Sequence, residues 1–393
     1  MLPLQELLQE PLSSVIEREQ NALERLVQEC RGRVVLFGAG SLGGRVLAKL
    51  RSIGIEPLCI SDNNPQRWNS TVDACPVLSP TEAAKRHGAE ALFIVTIWNA
   101  AHWFSETLAQ LQGLGCRFIS SYSPVYWRFA ATFLPFLLND LPHKVYQDAM
   151  SVLRAEALWS DRISTDSYRS LIHWYATGDA SHLPGRPREN SYFPADILSI
   201  SPKEVLVDCG AYDGDTVRQA TDLVGDAFQA IHAIEADPLS LHKLDMSLSR
   251  MVSEIRSRIN VHPCAVGAER ARVRFETTGT VDSKICDEGG VEVECVPLDE
   301  LFADTPVTMI KMDIEGAEYD ALRGAAKVIQ RDQPILAICV YHTQNDIWRI
   351  PLLVREMLPG HRLYLRAYEG DGFQTVMYAV PPERTLRNAP LAL

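Results

Sequence analysis

The stretch Val205-Leu206-Val207-Asp208-Cys209-Gly210-Ala211-Tyr212-Asp213-Gly214-Asp215-Thr216 decides how the chain is read. A short apolar run ends in a turn rich in glycine and aspartate, and an amphipathic stretch follows, the pattern of strand, tight turn and helix. Downstream, apolar strands are expected at 205–209, 230–235, 259–265, 307–313 and 335–341, with helical patterns between them. Alternation of this kind predicts an α/β fold with a mostly parallel sheet. The ending differs: Leu363-Tyr364-Leu365-Arg366 and Thr375-Val376-Met377-Tyr378-Ala379-Val380 flank Glu369-Gly370-Asp371-Gly372 and read as a closing hairpin.

The chemistry of the turn is set by Asp208, Asp213 and Asp215. Three carboxylates repel a pyrophosphate but accept hydrogen bonds from an ammonium group. The next strand ends in Ile234-Glu235-Ala236-Asp237, which puts Glu235 beside the turn, where a carboxylate can accept both hydroxyls of a ribose. Ligands of open α/β sheets bind at the carboxyl ends of the strands. A nucleoside carrying an amino acid tail, S-adenosylmethionine, satisfies both acidic sites. The alternative is that Asp208 and Asp215 only cap the following helix, although capping does not call for Glu235 as well.

Upstream, a second glycine turn, Gly38-Ala39-Gly40-Ser41-Leu42-Gly43, follows the apolar run Val34 to Phe37 and precedes a helical pattern to about Ile53; Asp62 lies 19 residues beyond Gly43. Strand before, helix after and a late acid make a dinucleotide-type fingerprint. Gly38, Gly40, Gly43 and Asp62 are therefore candidate contacts for a nucleotide or nucleotide-sugar, with a purely structural turn as the competing reading. Four segments are expected: a lead-in helix (1–30), capped by Ser13 or Ser14 and packed on the next domain or on a homodimer partner; a Rossmann-like domain (31–123); a helical connector (124–200); and the second α/β domain (201–393). The connector's aromatics, among them Trp127, Phe129, Phe133, Tyr146, Trp159 and Trp174, read mainly as core. Some of them, with Tyr192 and Phe193, are candidates for a lid. Arg186 and Arg188 are candidate phosphate contacts in an otherwise solvated loop.

With 393 residues, 46% apolar and 22% charged, the chain has room for two globular domains. A net charge of −12 argues against sequence-independent binding to nucleic acid, which needs a basic face. Nine cysteines without a C-x-x-C pair give neither a zinc set nor a disulfide framework and read as small buried apolar residues. Apolar runs fall short of the ~20 residues of a membrane span. With Glu6 and Glu10 where a leader would be basic, a cytoplasmic location is expected.

Four blocks, VDCGAYDGDT (207–216), AIEADP (233–238), IKMDIEGAE (310–318) and VYH (340–342), occur in order. Through them the stretch from Tyr192 to Val380 resembles the FkbM family of S-adenosylmethionine-dependent methyltransferases. The resemblance implies a class I methyltransferase sheet of seven strands with the last inserted antiparallel. It also implies O-methylation, commonly of sugar hydroxyls in polysaccharides, glycolipids or secondary metabolites. Members with an N-terminal Rossmann-like unit and a helical connector are similar over most of this chain. Position by position, the resemblance has Asp208, Gly210, Ala211, Tyr212, Asp213, Gly214, Asp215 and Thr216 lining the methionine end and Glu235 holding the ribose. Asp237 with Ala265 and Val266 would approach the adenine, and Asp313 would face the transferring methyl. Ala367 and Gln374 depart from the histidine and glutamate usual in the nearest subgroup, which bears on the acceptor side.

Methyl transfer to a hydroxyl is a direct displacement, so alignment and exclusion of water dominate, and a base adds ~10²- to 10⁴-fold. His342 is the candidate base, with Asp313 or Glu315 as orienter or alternative base. These three also match a metal site by residue type, but no tight ligand spacing supports one and no metal is expected. The leading expectation is an O-methyltransferase for a glycan-type acceptor. The alternatives are a nucleotide-sugar oxidoreductase or epimerase using the first glycine turn, distinguishable by bound NAD, and a non-catalytic nucleotide-binding scaffold.

Overall fold

The computed structural model describes residues 1–99, 101–183, 191–276, 284–286 and 290–386. Arg186 and Arg188, the proposed phosphate contacts, lie outside the described residues. The chain divides into two compact units, the first formed mainly by residues 1–153 and the second mainly by the segment ending at Arg366, with Gln374 onward.

In the first unit, β1 (Val34–Phe37), β2 (Cys59–Ser61), β3 (Thr71–Val72), β4 (Cys75–Leu78), β5 (Leu92–Val95) and β6 (Phe118–Ser120) form one sheet in the order β3-β4-β2-β1-β5-β6. Only β3–β4 is antiparallel. The central strands β1 and β5 are buried along their whole length, as strands covered on both faces must be, so they read as continuous apolar runs. β3, β4 and β6 are only partly buried, so unlike β1, β2 and β5 they carry no continuous apolar run that a sequence could show. The lead-in helix runs Leu12–Glu29 behind Pro11 with no side-chain cap, so Ser13 and Ser14 fall inside it. Its buried stripe is Val15, Glu19, Leu23 and Val27, with Ile16 and Leu26 only partly covered. Buried Glu19 is matched by His143, whose Nδ1 lies 2.9 Å from its carboxylate. The expected connector is not a separate body: residues 124–153 pack with the first unit, whereas 154–165 belong to the second.

The second unit is built on β7 (Val205–Cys209), β8 (Ala230–Ile234) and β9 (Ile259–His262). Four short strands, β10 (Ala265–Val266), β11 (Ala271–Glu276), β12 (Lys284–Cys286) and β13 (Val291–Val296), make a side sheet not anticipated from the sequence. β14 (Met309–Met312), β15 (Ile335–Cys339), β16 (Arg362–Ala367) and β17 (Thr375–Val380) complete the main sheet, in the order β16-β17-β15-β14-β7-β8-β9. β17 pairs antiparallel with β15 and so enters between β15 and β16, the inserted seventh strand of a class I methyltransferase sheet. The eight described cysteines are all buried and unbridged. No helix among the described residues is long and apolar enough to cross a membrane.

Candidate active site

Strand register assembles the site. Cys209 pairs with Ile234 on one side and Met312 on the other, and Met312 pairs with Ile338. Because these strands run parallel and end together, Gly210, Glu235, Asp313 and the Tyr341-His342 pair emerge at one edge of the sheet.

The glycine turn is held against that edge by contacts only glycine permits. Gly210 has φ +78°, and a Cβ added there would stand 1.9 Å from the Asp313 carbonyl oxygen. Gly214, at φ +83°, takes the left-handed conformation just ahead of the helix Asp215–Val224, which buries Thr216, Val217 and Ala220. Asp208 is fully buried and caps no helix; Lys311 Nζ lies 3.0 Å from its Oδ1, and neither carboxylate oxygen has a hydrogen-bond partner otherwise. Burial pushes the Asp208 carboxyl up to about 6 against the pull of Lys311. For Lys311, burial favours the neutral amine, but Asp208 outweighs it and holds the ammonium above its ordinary range. The same Nζ donates to the Gly210 carbonyl at 2.7 Å, tying the pair to the turn.

Glu235 is buried, and its two carboxylate oxygens accept the backbone N–H groups of Tyr212 and Asp237, both at 2.8 Å. A carboxylate has about four acceptor positions, so each oxygen keeps one for a ligand hydroxyl. Burial raises its pKa against these hydrogen bonds. Asp213 is paired with Arg218 at 2.9 Å and Asp215 accepts from the Thr216 N–H at 2.7 Å. Ala211 is buried, and Tyr212, at φ +46°, lies under Lys243 Nζ at 4.9 Å. Asp237 is fully buried and caps the helix Pro238–Leu248 through the Leu239 N–H, which occupies it structurally. Ala265 and Val266 form β10 and are buried beside Ala236.

On the acceptor side, Asp313, Glu315 and His342 converge. His342 Nε2 lies 3.2 Å from Asp313 Oδ1 and 3.5 Å from Glu315 Oε1, and Nδ1 lies 2.8 Å from Glu318 Oε1. Glu318, fully buried, also accepts the N–H groups of Ile314 (2.8 Å) and Gly316 (3.0 Å), so the loop after β14 folds around it. Asp313 accepts from the Tyr192 hydroxyl at 2.7 Å and the Tyr341 hydroxyl at 3.2 Å. Although burial disfavours imidazolium, Glu318 and the neighbouring acids hold His342 well above its usual range. Burial likewise works against the Asp313 carboxylate, but His342 and Lys311 keep it below the ordinary range; burial raises Glu315. The His342 side chain is 1% exposed, against 19% for Asp313 and 18% for Glu315, so the carboxylates, not the ring, face an incoming molecule. Ala367 ends β16 in a buried position, and Gln374 precedes β17 at φ +45°.

Sequence reasoning gave no role to Lys311, Glu318 or Tyr341 and saw Tyr192 only as part of a lid. A signal existed for Lys311: a charge inside the apolar run Met309-Ile310-Lys311-Met312 needs a buried partner. For the tyrosines no local pattern pointed to Asp313.

In the first unit, Gly38 has φ +123°, and a Cβ on Gly43 would stand 2.0 Å from the Gly38 carbonyl oxygen. Close packing of helix on strand therefore accounts for both glycines without a ligand. Asp62 spends its carboxylate on the N–H groups of Ala39 and Asn64, both at 2.7 Å. A Cβ added at Gly40 would approach the Arg67 guanidinium only to 4.0 Å, and Gly40 borders a cavity of about 450 Å³ also lined by Arg45, Asp62 and Trp98.

A seven-stranded sheet with its last strand inserted antiparallel, a glycine turn after β7, an acid after β8 and an acidic loop after β14 define a class I methyltransferase domain. Residues 208–369 match the family model described as the methyltransferase FkbM domain, so this stretch carries that domain. Among solved structures it is similar to a methyltransferase FkbM from Methylobacillus flagellatus KT, at 21% identity and a TM-score of 0.72, covering 94% of this chain and 99% of that one. A precorrin-6y C5,15-methyltransferase from Geobacter metallireducens GS-15 aligns over 47% of this chain and 83% of that one, at 13% identity and a TM-score of 0.29. No curated protein matches the chain.

Proposed function

We propose that the second unit transfers a methyl group from S-adenosylmethionine to a hydroxyl of a sugar, glycan or glycoconjugate acceptor. The observation that carries the reading is the pairing, at one sheet edge, of an acid with spare acceptor positions (Glu235) and an acidic cluster open to an acceptor (Asp313 and Glu315). The residues fit the cofactor. Glu235 offers one free lone pair on each oxygen for the ribose, Gly210 lets the backbone come close, and the exposed Asp215 offers a carboxylate to the ammonium of the amino acid tail. When bound, the cofactor supplies a sulfonium methyl and departs as a thioether that keeps the carbon–sulfur electron pair.

The chain's own work is to orient the acceptor and take its proton. As the new carbon–oxygen bond forms, the hydroxyl proton passes to Asp313 or Glu315, which are reachable. His342, buried behind Asp313 and Glu315, positions those carboxylates instead of acting as the base. Tyr192 holds Asp313 through Oδ2, and Tyr341 donates to Oδ1, the oxygen beside His342. Exposed hydroxyl acceptors of glycan type suit an acidic, non-greasy mouth, since carboxylates accept hydrogen bonds from vicinal hydroxyls.

The experiment is calorimetric titration with S-adenosylmethionine, followed by incubation with methyl-labelled cofactor and a panel of oligosaccharides and glycolipids. Binding that weakens in Glu235→Ala and label appearing on a glycan hydroxyl are expected. A folded protein with no affinity for the cofactor sinks the proposal.

A nucleotide or nucleotide-sugar site in the first unit remains a proposal supported by the cavity beside Gly40, Arg45 and Trp98. Titration with NAD and with a uridine diphosphate sugar tests it, loss of binding in Arg45→Ala being the expected outcome and absence of any heat the contrary one.

A further inference from the structure

We infer that Asp313, Glu315 and His342 form a binding site for one divalent cation of the magnesium or manganese type, next to the acceptor position. One ligand atom from each residue lies within 4.8 Å of the other two. The His342 Nε2 distances, 3.2 Å to Asp313 Oδ1 and 3.5 Å to Glu315 Oε1, are those of adjacent ligands around one ion. Ligands ~2.1 Å from a metal at right angles stand about 3 Å apart, and tetrahedral ones about 3.4 Å.

A second, independent observation points to a ligand. His342 is 1% exposed, and neither ring nitrogen makes a hydrogen bond of proper geometry despite the acids around it. A buried imidazole left this way costs stability, and a cation on Nε2 removes that cost. Behind it, Glu318 Oε1 lies 2.8 Å from Nδ1, close enough that a small turn of the ring on binding an ion would let it accept the Nδ1–H and fix the tautomer. Tyr192 and Tyr341 do the same for Asp313 through hydrogen bonds to its carboxylate.

Charge bookkeeping agrees. Asp313, Glu315 and Glu318 bring three negative charges, and Lys311 is committed to Asp208. With the imidazole neutral, a divalent ion on Nε2 offsets two of the three, one more than an imidazolium proton does. Two carboxylates and one imidazole favour a hard, oxygen-preferring ion. Three protein ligands leave positions open for two neighbouring hydroxyls of the acceptor, and the bound oxygen then loses its proton more readily.

This inference deepens the methyl-transfer reading, yet its test needs neither cofactor nor acceptor. Chelator-treated, full-length protein is titrated with Mn²⁺, following loss of the free-ion electron paramagnetic resonance signal, with Mg²⁺ as competitor. One Mn²⁺ per chain is expected, displaced by Mg²⁺. Affinity should fall at least tenfold in Glu315→Gln and His342→Gln, and by ~10- to 100-fold in Glu318→Gln, which acts through the histidine. Glu315→Gln, a change at a partly exposed position, should keep the wild-type melting temperature and cofactor affinity, which separates lost ligation from lost folding. No bound Mn²⁺ at millimolar concentration, or binding equal in wild type, Glu315→Gln and His342→Gln, overturns the site. Cofactor binding retained alongside that result would leave methyl transfer standing.

Discussion

Lys311 and Asp208 stand directly opposite each other on β14 and β7 and meet at 3.0 Å with side chains 2% and 0% exposed. The pair sits between the two strands whose ends carry the glycine turn and the acidic cluster, so it couples the sheet's central register to the site. Lys311 Nζ adds a bond to the Gly210 carbonyl, and its ammonium lies 5.1 Å from the Tyr192 ring centroid.

Removing one partner leaves a buried charge uncompensated. Lys311→Met is therefore expected to destabilise the protein by roughly 3–5 kcal/mol. The double variant Lys311→Met, Asp208→Asn should recover part of that loss. Urea unfolding of the two variants decides it, and equal stability of the single variant and wild type would mean that the pair contributes nothing.

On the proposed function, Glu235 gives cofactor affinity a pH dependence. Its folded-state pKa is raised by burial, so it picks up a proton at a higher pH than an ordinary glutamate. Protonation removes an acceptor, so affinity for S-adenosylmethionine should hold at neutral pH and begin to fall on acidification before an exposed glutamate would titrate. Glu235→Gln should abolish this dependence and cost ~1–3 kcal/mol of binding. Calorimetry across the acidic range checks both, and a wild-type profile that stays flat would remove Glu235 from the ribose site.

Tyr192→Phe deletes the 2.7 Å bond to Asp313 and a weak 3.7 Å contact with Cys339 Sγ. As a positioning change, it should lower kcat by ~10-fold, the worth of a hydrogen bond to a charged group, with KM for the cofactor within twofold. A parallel rise in KM, with kcat intact, would place Tyr192 in cofactor binding instead.

Arg366 joins Asp161 and Asp196, each at 2.6 Å, and both the arginine and Asp161 are 10% exposed. Burial would raise Asp161, but Arg366 lowers it below the ordinary carboxylate range. A depressed folded pKa means that this stabilisation is fully present above the unfolded value, ~3.9, and is lost as pH falls through the folded one. Arg366→Ala should cost about 3 kcal/mol at pH 7 and much less near pH 2. A cost that does not change with pH would show that packing, not charge, is what the arginine provides.

The sequence by itself determined the second unit's parallel strands, the glycine turn and the place of Glu235, because these depend on local periodicity and on turn residues only a few positions apart. It also implied, through the four blocks, the inserted last strand. It did not disclose β10–β13 as a sheet, although Arg272-Val273-Arg274-Phe275 and Val291-Glu292-Val293-Glu294 alternate with a strand's period, because their pairing depends on register, nor the division of the connector between the two units. Tertiary structure alone decided which polar atoms meet. Tyr192 reaches Asp313 across 121 positions and Lys311 reaches the turn across about a hundred. The fold likewise turned His342 from the expected base into a buried ring among three acids. Periodicity says which face a side chain takes, but its partner is fixed only when strand register and loop path bring distant segments together, and the charges gathered there then set its protonation.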